Sequence, residues 1–260
     1  MFQRLWSNRI WQAFYPFLLY EITVECIYTV VPEVGMVPAT AMGAVFAIIL
    51  FYRRYKRDAE NELPIQRFTP YSAVLTALSG ICFCVAGSCF FYIISCYAGG
   101  SCYEAYSEPM AQTGFSTGIM ILCIGIIIPA AEEFVFRAMM FLRLRQYLKP
   151  SIAAIISAAV FGLYHGNLYQ GIYAGVMGLL LSWLLQRYND IKAPLIFHMV
   201  ANLTALVINI TPLSKQLGKD ETALWLITAF AVIGFGICGY LILRKRNKGE
   251  TKRDGSRISQ

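Results

Sequence analysis

Eight apolar stretches divide this chain, at residues 10–31, 36–52, 71–97, 115–136, 151–166, 169–186, 193–210 and 222–243. Several approach the ~20 residues that an α-helix needs to cross ~30 Å of hydrocarbon. Hydrophobic residues make up 57% of the chain. Ordinary soluble domains carry roughly 45–50%. The expected fold is all-α, a polytopic membrane protein with about eight transmembrane helices over residues 1–243. The fifth and seventh stretches are short, so tilt or partial burial is expected there. Residues 244–260 read as a basic, disordered cytoplasmic tail. No internal repeat and no separate soluble domain is visible.

The cations set the orientation. With the N-terminus in the cytoplasm, 19 of the 22 lysines and arginines fall in cytoplasmic segments. The outer loops hold only Lys215 and Lys219, and Arg137 lies within a span. This alternation supports both the span count and cytoplasmic placement of both termini. The net charge of +7 therefore reflects membrane topology and implies no nucleic-acid partner. The pattern fits a bacterial plasma membrane and is compatible with the endoplasmic reticulum.

The remaining segments carry weaker signals. The loop 53–70, basic and polar with Pro64 and Pro70, reads as a cytoplasmic connector that can lie on anionic headgroups. No signal-peptide cleavage site follows the first apolar run. Most of the eight cysteines lie in apolar stretches, where a thiol acts as a small hydrophobe. Cys96 and Cys102 are close enough in sequence to allow a disulfide. Gly171 and Gly175 form a small-xxx-small pair suited to close helix packing, with Gly178 one turn on. Glu21 and Glu25 share a face of the first span. They are expected to face other helices or a wet cavity, with a substrate or proton site as the sharper alternative.

The stretch Pro129-Ala-Ala-Glu-Glu-Phe-Val-Phe-Arg137 constrains function most. One charge at the centre of a membrane helix costs ~2.5–3.5 kcal/mol or more. Here two carboxylates and an arginine follow a run of apolar residues. Glu133 and Arg137 stand at i,i+4 and can pair. Glu132 is about 100° away round the helix and lacks that partner. Glu132 is thus the candidate working carboxylate and Glu133 the candidate structural one.

The two histidines both lie in hydrophobic spans, as Phe161-Gly-Leu-Tyr-His165 and His198-Met-Val-Ala-Asn202. In each motif the first and last residues share a helix face. A single intramembrane histidine is most simply helix glue, worth ~0.6 kcal/mol on average. Two histidines, an asparagine and two glutamates on three spans supply more: a carboxylate base, neutral imidazoles and an amide donor. That inventory suits activation of a water and stabilisation of an oxyanion.

These three motifs, in this order, resemble the CAAX prenyl protease and bacteriocin-processing (CPBP, or Abi) family of intramembrane proteases. The family pattern E-E-x-x-x-R, F-x-x-x-H, then H-x-x-x-N or D, corresponds here to Glu132-Glu133…Arg137, Phe161…His165 and His198…Asn202, within residues 115–210. The resemblance implies an eight-helix membrane endopeptidase acting on a membrane-bound protein or peptide. It further implies that Glu132 and His165 polarise water, that His198 and Asn202 stabilise the oxyanion, and that Glu133, Arg137 and Phe161 support the site. Glu132, His165 and His198 also match a His₂Glu zinc set. Family members are commonly named metalloproteases, and a metal-independent glutamate mechanism is also proposed for them; both readings stay open here. The family includes members linked to bacteriocin immunity, so a non-enzymatic self-immunity or partner-binding role is the main alternative. An ion or proton carrier ranks last, because the outer half of the fourth span offers only Ser116 and Thr117 to extend a polar path.

At 1.5 Å per residue, Glu132, His165 and His198 spread over ~12 Å of depth on upright helices. A shared site therefore requires tilt, or a helical extension through residues 138–148. The expected cavity is reachable by water from the cytoplasmic side.

Overall fold

A computed structural model describes residues 9–63, 68–98, 115–211 and 221–257, with side chains over 10–58, 63, 68–94, 115–211 and 221–244. The described residues form eight long helical segments: α1 (Arg9–Val30), α2 (Met36–Glu62), α3 (Pro70–Ala98), α4 (Thr117–Leu144), α5 (Pro150–Tyr164), α6 (Leu168–Tyr188), α7 (Lys192–Ile210) and α8 (Glu221–Arg257). No strand occurs among the described residues. Helices satisfy their own backbone groups, which hydrocarbon cannot do for them. Among the described residues six helices are long and apolar enough to cross a membrane: α2, α3, α4, α6, α7 and α8. Helix α1 carries Glu21, Glu25 and Pro16, and α5 is only 15 residues long. The protein is an all-α, polytopic integral membrane protein.

Two expectations change at helix ends. Helix α2 continues ten residues past 52 into the stretch expected to be a connector. Tertiary contacts hold that extension. Arg143 on α4 binds Asp58 on α2 through Nε at 3.0 Å and Nη2 at 2.5 Å, and reaches Gln12 on α1 at 2.5 Å. Arg54 bonds the Tyr15 hydroxyl from one turn below Asp58. The backbone of α8 likewise runs to Arg257, past the expected boundary at 243. Helix propagation is easier than nucleation, so an apolar span can carry a polar extension. The proposed Cys96–Cys102 pairing lies outside the described residues. Cys26, Cys82, Cys84, Cys89, Cys123 and Cys238 are free thiols.

Helix α4 is the centre of the bundle, touching α1, α2, α5, α6 and α7. More than half of its span, 56%, is buried by other helices, against 17% for α8. Helix α8 packs chiefly on α3, which in turn packs on α7. Residues 133–142 of α4, Arg137 among them, are all buried. The extension needed to gather the motifs is therefore a continuation of the same helix inside protein.

Helices α5 and α6 meet through glycine. A Cβ added to Gly162 would stand 2.6 Å from the Gly171 carbonyl oxygen, and one on Gly171 would stand 2.9 Å from the Gly162 oxygen. Gly175 and Gly178 continue the contact against Gly162 and Ala158. The glycine set thus serves packing within the chain. Gly162→Val is expected to push α5 from α6 and cost about 1–3 kcal/mol. Thermal unfolding in detergent would register this as a clear drop in midpoint; an unchanged midpoint would contradict the contact.

Candidate active site

Proline 129 shapes the backbone above the motif. It has no N–H and cannot close a helical hydrogen bond. Residues Cys123–Ile127 just before it adopt π-helical geometry, with i→i+5 spacing. In that register the carbonyl that would await the residue-129 N–H belongs to Ile124. Asn202 Nδ2 on α7 donates to that carbonyl at 3.1 Å. A second π-helical stretch, Glu133–Phe141, carries the motif itself. There the Phe136 carbonyl accepts from Ser157 Oγ on α5 at 2.9 Å. Neighbouring helices thus satisfy carbonyls within both wide turns, a backbone form common at functional sites.

Glu133 and Arg137 pair as their spacing predicts, with Oε2 and Nε 3.3 Å apart and both side chains 0% exposed. Glu133 has a second task that spacing does not reveal. Its Oε1 accepts from His198 Nδ1 at 2.9 Å. A carboxylate that accepts from one ring nitrogen sets the tautomer and angle of a histidine. The other nitrogen, Nε2, then points to Glu132 Oε2 at 3.5 Å. His198 is therefore held between the two glutamates, and Glu132 has a partner across the helix interface. With Nδ1 committed as donor, Nε2 keeps the lone pair that can take up a proton at the Oε2 contact.

His165 lies at the C-terminal end of α5, where Gly166 in the left-handed region (φ 64°) and Asn167 reverse the chain. Asn167 Oδ1 caps α6 by accepting from Tyr169 N at 2.9 Å and Gln170 N at 3.2 Å. His165 Nδ1 is 2.8 Å from the Phe161 carbonyl. A carbonyl can only accept, so Nδ1 carries the hydrogen and Nε2 keeps its lone pair. The Phe161 ring meets the rings of His165 and His198 edge-on, at 5.0 and 5.7 Å between centroids. The Arg137 guanidinium lies 4.5 Å from the same ring. Phe161 is thus the partition on which both histidines and the arginine rest.

Glu132, His165, His198 and Asn202 all line one cavity of about 430 Å³. Glu21 and Glu25 on α1 line it too, with Thr40 on α2, Tyr164 on α5 and Gln170 on α6. The sequence motifs do not point to Thr40, Tyr164 or Gln170. Glu132 and His198 form the closed end, 4% and 1% exposed. Glu25 and Met36 are exposed at the other end, beside the α1–α2 turn. That end lies opposite the Arg143–Asp58–Gln12 cluster. The cavity does not open beside the basic loops, where cytoplasmic access was expected. Phe136, Met139, Met140 and Phe141, all fully buried, fill α4 on that side.

Among the described residues no three histidine, cysteine or carboxylate side chains converge closely enough to hold a metal ion. His198 offers one ring nitrogen toward Glu132 and has given the other to Glu133. The Glu132–His165–His198 zinc set is therefore not assembled in this arrangement.

Fold and site together define a membrane-embedded bundle with a glutamate–histidine cluster at the blind end of a cavity. Residues 114–204 match the family model described as Type II CAAX prenyl endopeptidase Rce1-like. The chain is also similar to the Bacillus subtilis (strain 168) protein named "Putative membrane peptidase YdiL", 28% identical over 109 residues. That match covers 42% of this chain and 45% of the relative, so the chain spans about half the length of the relative it matches. No solved structure matches the chain. The matched segment holds Glu132, Glu133, Arg137, Phe161, His165, His198 and Asn202.

Proposed function

We propose that this protein is an intramembrane endopeptidase in which Glu132 activates a water against a peptide bond of a membrane-associated protein or peptide. The observation that carries this reading is the position of Glu132: a carboxylate at the blind end of a membrane-embedded cavity, 3.5 Å from His198 Nε2. A water held between Glu132 and the open Nε2 of His165 loses a proton to the carboxylate as its oxygen attacks the carbonyl carbon. The proton passes to the leaving amine as the C–N bond breaks. His198 Nε2 is the neighbouring atom able to hold that proton in between, and Glu133 keeps the ring aimed. One Asn202 amide hydrogen is used by Ile124, which leaves the second for a developing oxyanion. The family model and the name of the relative point to the same reaction class.

The test is cleavage of quenched peptides carrying an apolar anchor, by protein purified in detergent. Wild type is expected to cut, and His165→Ala to lose most of that rate. Chelator is expected to leave the rate unchanged, given the donor geometry. Loss on chelation with recovery on added zinc would overturn the metal-free reading. A biological phenotype that survives Glu132→Ala would favour the self-immunity or partner-binding role instead.

A further inference from the structure

Among the described residues the mouth of the cavity and the basic helix ends lie at opposite ends of the bundle. Three sets of contacts locate the basic end. Arg143 joins α4 to Asp58 of α2 and Gln12 of α1. Arg187 near the end of α6 donates to the carbonyl of Ile242 near the end of the α8 span at 2.5 Å. Phe68 before α3 meets Tyr188 at the end of α6 edge-on, with ring centroids 5.3 Å apart. Arg53, Arg54, Lys56, Arg57, Lys149 and Lys192 flank the same helix ends. The cavity instead opens beside the first turn of α2, at Met36, Val37 and Thr40, and beside Gln170 in the first turn of α6. Helix α5 contributes to this asymmetry. At 15 residues it rises only ~22 Å from the basic end before the His165–Asn167 turn, which leaves that turn below the opposite membrane surface.

Among the described residues the charge on the cavity wall is one-sided: Glu21, Glu25 and Glu132 line it, and no described lysine or arginine does. Glu21 Oε1 is buried and has no hydrogen-bond partner among the described residues. Carboxylates in a low-dielectric cleft focus their field along it, attract cations and repel anions.

We infer that the substrate segment enters from the non-cytoplasmic face and that the entering segment is cationic. Basic loops mark the cytoplasmic side of a membrane protein, so the mouth faces away from it. A lysine or arginine side chain near the scissile bond finds its partner in Glu21 and Glu25. A free terminal carboxylate at the same place meets repulsion. The identity of the entering molecule as a substrate rests on the peptidase reading; the path and its charge preference do not.

The test needs no turnover. A thiol is introduced on the cavity wall by Thr40→Cys in the full chain, and labelling is read by mass above the wild-type background. Cationic and anionic methanethiosulfonates are added to intact cells and, separately, to inverted membrane vesicles. Each rate is divided by that reagent's rate with a free thiol in solution. The expected result is modification from outside intact cells, about tenfold faster for the cationic reagent. Adding Glu21→Gln and Glu25→Gln is expected to bring the two normalised rates together. Modification in inverted vesicles alone would overturn entry from the non-cytoplasmic face. Equal rates, or a faster anionic reagent, would overturn the charge preference. No modification from either side would overturn the open cavity itself. A failed cleavage assay would leave each of these outcomes as informative as before, so failure of the peptidase reading and of this one are distinguishable.

Discussion

Glu132→Gln is expected to lower peptide cleavage by about 10³-fold or more while the protein still inserts and folds. Removing a positioned general base typically costs 10²–10⁴-fold. The change is nearly isosteric, and the new amide can donate to His198 Nε2, which now stands 3.5 Å from Oε2. It cannot take a proton from water. Stability should hold because Arg137, the buried cation, pairs with Glu133 rather than with Glu132. Turnover of an anchored peptide and thermal unfolding, measured on the same preparation, check both halves. A variant that keeps more than a tenth of the rate would remove Glu132 from the role of base.

Glu133→Ala is expected to act in the opposite way, through the fold first. Arg137 is 0% exposed, and none of its three guanidinium nitrogens has a hydrogen-bond partner of good geometry. Its support is the 3.3 Å ion pair to Glu133 and the Phe161 ring below it. Removing one member of a buried pair typically costs 3–5 kcal/mol, because the other charge is left uncompensated. A cation–π contact, worth ~2 kcal/mol or somewhat more when desolvated, was already present beside the ion pair and does not replace it. The variant should therefore accumulate poorly and unfold at lower temperature. Replacing both partners, Glu133→Leu with Arg137→Met, should recover folding, since an apolar pair of similar volume is often neutral or better. Cleavage should stay low in that double variant, because His198 Nδ1 has lost the acceptor that aims the ring. Recovery of both folding and turnover would reduce Glu133 to a structural role alone.

The contrast between the two glutamates shows how far the motif could be read by itself. Spacing alone paired Glu133 with Arg137 and left Glu132 apart, and the ion pair follows that spacing. Spacing says nothing about a third helix. His198 comes from 65 positions further along the chain to stand between the two carboxylates. Asn202 was legible as a member of the site, but its bond to the Ile124 carbonyl depends on a π-helical turn that Pro129 induces in another helix. Glu21 and Glu25 were visible as costly charges in the first span. Their place in the same cavity as Glu132 depends on how α1 is rotated against α4.

The sequence by itself determined the class of protein, the existence and order of its spans, the clustering of cations, and the three motifs with the family they resemble. All of these rest on local quantities: apolar length against bilayer thickness, and i,i+4 spacing on one helix. Only the tertiary structure decided that His198 bridges both glutamates, that no three-ligand metal set assembles among the described residues, and that the cavity opens away from the basic loops. Those outcomes depend on helix tilt, rotation and depth. In a membrane these are set by side-chain packing between spans, such as the Gly162–Gly171 contact, and not by the hydropathy that places each span in the bilayer.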